Sequence, residues 1–162
     1  MISIDIIILI YHKNPYNLRY QITKKLFKYL NYLCKKLLSE GIKLSFTVVG
    51  KKSVKNLNLF KILNTSDNND NFFVDFDQSK YNMHILDMLG AKLFNGYIVS
   101  KKKNKDIVGW LGSNDFISEN FFIQVKEKLN KNKNQMFGIN RPIDNNYNNH
   151  ILININDINI KP

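Results

Sequence analysis

The 162-residue sequence predicts an α/β fold, a mostly parallel sheet with helices on both faces in three layers. Two observations carry this. Extended and helical stretches alternate in the order β-α-β-α-β-α-β-α-β, with room for one more strand at the end. The first extended stretch, SIDIIILIY from Ser3 to Tyr11, is also apolar almost without interruption, as a strand covered on both faces is; a strand covered on one face alternates.

The elements follow in order. After the first strand, HKNP supplies Asn14 as an N-cap and Pro15 at the first helical position. Leu18, Ile22, Leu26, Leu30, Leu33 and Leu37 then recur every three or four residues on one face, and Gly41 ends the helix. Lys24, Lys25, Lys28, Lys35 and Lys36 lie mostly off that stripe and mark its solvated side. A second strand, IKLSFTVVG, ends at Gly50, and the basic, then asparagine-rich segment from Lys51 to Asn71 reads as a short helix followed by a loop. The third strand is NFFVDFD. Met83 to Ser100 forms a helix with Leu86, Leu89, Leu93 and Tyr97 inward, and DIVGWLG is the fourth strand, with Trp110 expected in the core. Ser118 caps the next helix, whose inner stripe is Phe122, Val125 and Leu129, and QMFGI and HILININDINI are extended.

The length suits a single domain over residues 1–162 with its own apolar core. No apolar run approaches the roughly 18 residues that span a bilayer, and no signal-peptide pattern is visible. The single cysteine, Cys34, cannot form an internal disulfide, and no Cys/His cluster has zinc spacing, so a reducing, cytoplasmic setting is expected. A net charge of +11 suits a polyanion, an acidic surface or a phosphorylated small molecule. Many of the lysines alternate with asparagine and isoleucine, a bias that A and T-rich coding would also produce, which weakens charge as an argument for nucleic acid.

Parallel sheets bind ligands in the crevice beyond the carboxyl ends of their strands. Chemistry is therefore expected at YHKNP, VVGKKS, DFDQ and GSNDF, the four strand ends. His12 stands at the rim of the first. Asp75 and Asp77, two apart on a strand, share a face and could act as a carboxylate pair. The glycine pattern of a dinucleotide-binding turn is absent after the first strand, as is a phosphate loop of the P-loop type, so an NAD or ATP domain of the usual kind is disfavoured.

Residues Leu89 to Ser118, LGAKLFNGYIVSKKKNKDIVGWLGSNDFIS, resemble the core of nucleotide-sugar glycosyltransferases of the GT-A fold, especially small family 2-like proteins of phage and viral type. That pattern is a helix reading L-G-x-K-W-N-x-G followed by a strand ending in G-S-D-D-F. Leu89, Gly90, Lys92, Gly96, Leu111, Gly112, Ser113, Asp115 and Phe116 fall on it. The resemblance implies a GT-A, Rossmann-like domain that transfers a hexose from a UDP- or GDP-linked donor to an acceptor hydroxyl of a glycan, protein or lipid. It implies Mg²⁺ or Mn²⁺ held by Asp115, and a donor site formed by His12, Lys92, Asn95, Ser113, Asn114 and Asp115. The chemistry is consistent, because a hard divalent ion with oxygen ligands stabilises a diphosphate leaving group as a Lewis acid.

The chain departs from the pattern in two places: Asn114 stands where the first acidic residue of the metal motif is usual, and Phe94 where the helix asparagine is, with Asn95 about 100° further round. Only 47 residues follow Asp115, so the resemblance implies a domain without the acceptor-binding C-terminal part of longer relatives. No spacing identifies a catalytic base, although His150 and Asp144 carry suitable chemistry. Two alternatives stand beside this reading: a degenerate relative that binds the donor without turnover, and a non-catalytic basic module that binds nucleic acid through Lys51 to Lys61 and Lys101 to Lys105. An exposed terminal strand could pair two copies as a homodimer.

Overall fold

The computed structural model describes residues 1–11, 17–64, 70–82, 84–131, 135–137 and 152–154. His12, Asn14, Pro15, Asp144 and His150 lie outside them. The chain divides into two compact units, Met1–Ile117 and Ser118–Pro162.

The first unit holds four strands: β1 (Ile2–Leu9), β2 (Ile42–Gly50), β3 (Phe72–Asp75) and β4 (Ile107–Gly112). All pair in parallel, in the order β3-β2-β1-β4. The strands step outward from β1 to β3, and the chain then crosses back to set β4 on the far side of β1. The apolar run of β1 is explained by its central place: Ile4, Ile6, Ile7 and Ile8 are all buried, so both of its faces are covered.

Between the strands lie α1 (Leu18–Ser39), α2 (Val54–Leu63), a single 3-10 turn (Gln78–Lys80) and α3 (Ile85–Lys102). Helix α1 starts later than the sequence suggests. Its N-cap is Asn17, whose side chain accepts the Arg19 N–H at 2.9 Å. Its inner stripe is Thr23, Leu26, Phe27, Leu30, Leu33 and Leu37, while Leu18 is exposed. Ser53 caps α2 by accepting the Asn56 N–H.

Helix α3 corrects the sequence reading more sharply. Its buried stripe is Met88, Lys92, Gly96 and Ser100, one residue before the expected series, and Leu89 and Tyr97 are exposed. Gly96 is the reason. A Cβ there would lie 2.5 Å from Ile7 Cγ2 and 2.8 Å from Val49 Cγ2, so only glycine lets the helix backbone settle onto β1 and β2. Trp110 is also not in the core. It is level with Ile7 on the edge strand β4, which has no strand on its outer side, and is 63% exposed.

At the amino-terminal end of the sheet a polar network fastens the α3–β4 connection. Asp5, fully buried, accepts hydrogen bonds from Ser45 Oγ, Thr47 Oγ1 and Lys103 Nζ, each 2.7 Å long. Lys103 Nζ also donates to the Phe46 carbonyl at 3.1 Å. Asn71 Oδ1 accepts the Phe46 N–H at 2.8 Å, and its Nδ2 donates to the Leu63 carbonyl at 2.7 Å. Asp106 accepts from both the N–H and the hydroxyl of Ser3. Lys105 and Lys43 both reach Asp70, and these two ammonium groups, Lys105 foremost, hold its carboxyl down to about 2.

The second unit holds α4 (Glu119–Lys131), capped by Ser118 as expected, and an antiparallel pair formed by β5 (Gln135–Phe137) and β6 (Leu152–Asn154). The two C-terminal extended stretches therefore pair with each other in a sheet of their own.

Candidate functional site

The strand order reverses between β1 and β4, and their carboxyl ends are level, with Leu9 opposite Gly112. In a parallel sheet a crevice opens at such a reversal. Two groups of the residues expected at a ligand come to this edge from different elements.

Lys92 is one. It projects from the buried face of α3, is only 5% exposed, and its Nζ donates to the Ile10 carbonyl at 3.4 Å, one residue beyond β1. The ammonium lies 5.2 Å from the centroid of the Tyr11 ring. Among the described residues no carboxylate pairs with it. Burial pushes its pKa below the usual lysine value. A carbonyl and a ring face only partly replace the water that a lysine loses on burial, so the group favours an anion brought to it.

The other is the turn after β4. Asp115 N–H donates to the Gly112 carbonyl at 3.1 Å, closing the turn through Ser113 and Asn114. The Asp115 carboxylate folds back over Gly112 so closely that a Cβ there would clash with Oδ2 and stand 3.1 Å from Cγ. Glycine at 112 is thus what admits this carboxylate to the strand end. The turn is tied to α1: Thr23 Oγ1 donates to the Ser113 carbonyl at 3.0 Å, and Tyr29 Oη to the Ile117 carbonyl at 3.1 Å. Asp115 and Ser113 are half-buried, and Asn114 is exposed.

The remaining expectations are placed elsewhere. Asn95 lies almost a turn beyond Lys92, toward the end of α3 that reaches Asp5, and its Nδ2 donates to the Ala91 carbonyl of its own helix at 2.8 Å. His12 lies outside the described residues. Asp75 and Asp77, at the end of β3, have separate partners: Asp75 accepts the Lys52 N–H at 2.7 Å, while Asp77 caps the 3-10 turn and pairs with Lys51 at 3.0 Å. Hydrogen bonds from Ser79, then from Lys51, hold the Asp77 carboxyl down to about 2.

Two helix N-termini at this end favour anions. Helices α1 and α2 both begin after strands at the carboxyl edge, and neither has an acidic residue in its first turn. Sequence reasoning missed Tyr11 as a partner of Lys92; the signal for it was an aromatic residue immediately beyond the carboxyl end of the first strand.

Among the described residues no three His, Cys, Asp or Glu side chains are grouped to hold a metal ion, and no helix is long and apolar enough to cross a membrane. The fold and this edge together define an α/β protein whose four-stranded parallel sheet is compatible with a Rossmann-like fold. Compared with family models, curated proteins and solved structures, the chain has no significant match.

Proposed function

We propose that the chain is a GT-A-like, three-layer domain that binds a nucleoside-diphosphate sugar at the β1/β4 carboxyl edge and transfers its hexose to an acceptor hydroxyl. The observation that carries this reading is Lys92, a buried ammonium without a carboxylate partner among the described residues, presented on the strand next to the Asp115 turn. In this reading Lys92 meets the diphosphate as a point charge, and the α1 and α2 N-termini add to the positive field.

Asp115, with Ser113 and Asn114 before it in the same turn, would supply a hard-oxygen donor set with one carboxylate. That fits Mg²⁺ or Mn²⁺ shared with phosphate oxygens and water, and does not fit an ion caged by protein alone. The ion would supply Lewis-acid stabilisation of the departing diphosphate. In the transfer, the bond from the anomeric carbon to the diphosphate oxygen breaks, one to the acceptor oxygen forms, and the acceptor's proton passes to the released nucleoside diphosphate or to water.

Calorimetric titration of the full chain with UDP-glucose and GDP-mannose, with and without Mn²⁺, tests the reading. Metal-dependent micromolar binding that is lost in Asp115→Ala and in Lys92→Met is expected. Donor binding without turnover would identify a sugar-nucleotide receptor. Absence of donor binding together with salt-steep oligonucleotide binding would replace the reading with the basic-module alternative.

A further inference from the structure

The same edge carries an aromatic feature that the diphosphate reading does not use. Tyr81 stacks on Phe76, with centroids 5.2 Å apart and planes 15° from parallel. Phe76 is buried with Ile7, Val49 and Met88, whereas Tyr81 is 50% exposed. The Tyr81 hydroxyl has no partner among the described residues; its backbone N–H donates to the Gln78 carbonyl and its ring is backed by Phe76. A half-exposed aromatic ring backed by a buried one offers a π-face to solvent at little ordering cost.

Its position relative to Lys92 follows from the register. Gly50, the last residue of β2, stands opposite Asp75, Phe76 N–H donates to the Gly50 carbonyl, Ile10 N–H donates to the Val49 carbonyl, and a Cβ on Gly50 would meet the Ile10 side chain, so Ile10 is level with Gly50 and Phe76 lies one residue past that level. Two strand spacings separate Phe76 from Ile10, roughly 10 Å. Helix α3 spans both points, since Met88 shares a buried cluster with Phe76 and Lys92, one turn later, reaches Ile10. A flat aromatic surface stacked on the first point and a buried cation bonded to the second, on one edge, suit a ligand with a planar ring at one end and phosphate at the other, joined by a linker of ribose type.

Resting on the diphosphate reading above, we infer that Tyr81 is the platform for the nucleobase, so the ligand is a nucleoside diphosphate and not a bare pyrophosphate or a lipid-linked phosphate.

The test is calorimetric binding of UDP, GDP and inorganic pyrophosphate to the full chain, with metal held constant. Tyr81→Leu keeps an apolar cover on Phe76 and removes the π-face; Tyr81→Phe keeps the face and removes the hydroxyl. The wild type is expected to bind nucleoside diphosphates more tightly than pyrophosphate. Tyr81→Leu is expected to lose about 10-fold or more of that advantage with pyrophosphate affinity unchanged, and Tyr81→Phe to keep it, as stacking energies imply. Pyrophosphate binding with a nucleotide-to-pyrophosphate ratio unchanged in Tyr81→Leu would overturn the platform alone. No binding of either ligand would overturn the diphosphate site and the platform with it.

Discussion

At position 96 the presence or absence of a single methyl group decides how α3 sits on the sheet. Alanine there gains about 0.5–1 kcal/mol of helix propensity over glycine. It also drives a Cβ into Ile7 and Val49, and overpacking of this kind costs about 1–3 kcal/mol. At Gly90, on the same helix, an added Cβ would have nothing within 4 Å. Gly96→Ala is therefore expected to lower the urea midpoint and Gly90→Ala to raise it; equal shifts in one direction would contradict the packing. Lys92 invites a comparable contrast. Its pKa is depressed by burial, so between that depressed value and 10.5 the folded state holds fewer protons than the unfolded chain, and stability rises as pH climbs through this window. Below it, the charged, desolvated ammonium destabilises the fold. Lys92→Met is expected to be more stable than wild type at pH 7 and to lack this part of the alkaline rise, while losing diphosphate binding. Denaturant titrations at several pH values check the first two, and a variant less stable at neutral pH would contradict them. Neither residue's role was legible from hydrophobicity. The buried stripe of α3 reads Met, Lys, Gly, Ser, whereas the apolar series Leu89, Leu93, Tyr97 runs beside it, about 100° round the helix.

The strands and helices themselves were far more legible, because their signals are local. The run of β1 announced a strand covered on both sides, and the apolar period of α1 placed Leu26, Leu30, Leu33 and Leu37 correctly. What local signals do not contain is how far neighbours extend. β3 has only four residues, starting opposite Thr47, so the preceding residue of β2, Phe46, has no strand beside it on that side. Side chains complete the edge: Asn71 accepts its N–H and Lys103 donates to its carbonyl. Asn71→Ala leaves both the Phe46 N–H and the Leu63 carbonyl without this partner in a buried setting, a loss of about 1–3 kcal/mol for an unsatisfied group. Chemical denaturation is expected to show that loss, and amide exchange at Phe46 to accelerate with it; an unchanged midpoint would mean that water replaces the asparagine. In the sequence, Asn71 was indistinguishable from the other asparagines of its tract.

Across the whole first unit, the two ends of the sheet have opposite characters. The carboxyl edge presents a buried cation and a folded-back carboxylate, and the amino edge is closed by side chains whose charges are matched. In the sequence Asp5 is visible only as an interruption in an apolar strand. Its partners, Ser45, Thr47 and Lys103, come from two other elements, so no reading of β1 alone could supply them. Because Lys103 directly follows the helix that carries Lys92, this pair also helps fix α3 lengthwise on the sheet. Removing one member of a buried ion pair leaves an uncompensated charge and costs about 3–5 kcal/mol, whereas exchanging both for apolar groups is often close to neutral. Asp5→Ala is accordingly expected to lose about that much stability, and Lys103→Met added to it to recover most of the loss, since the stranded ammonium is gone. A double variant as unstable as the sum of the two single ones would show that the charges are not coupled. If the recovery occurs while donor affinity stays reduced, the pair's main contribution is the placement of α3 and, through it, of Lys92 at the other end of the sheet.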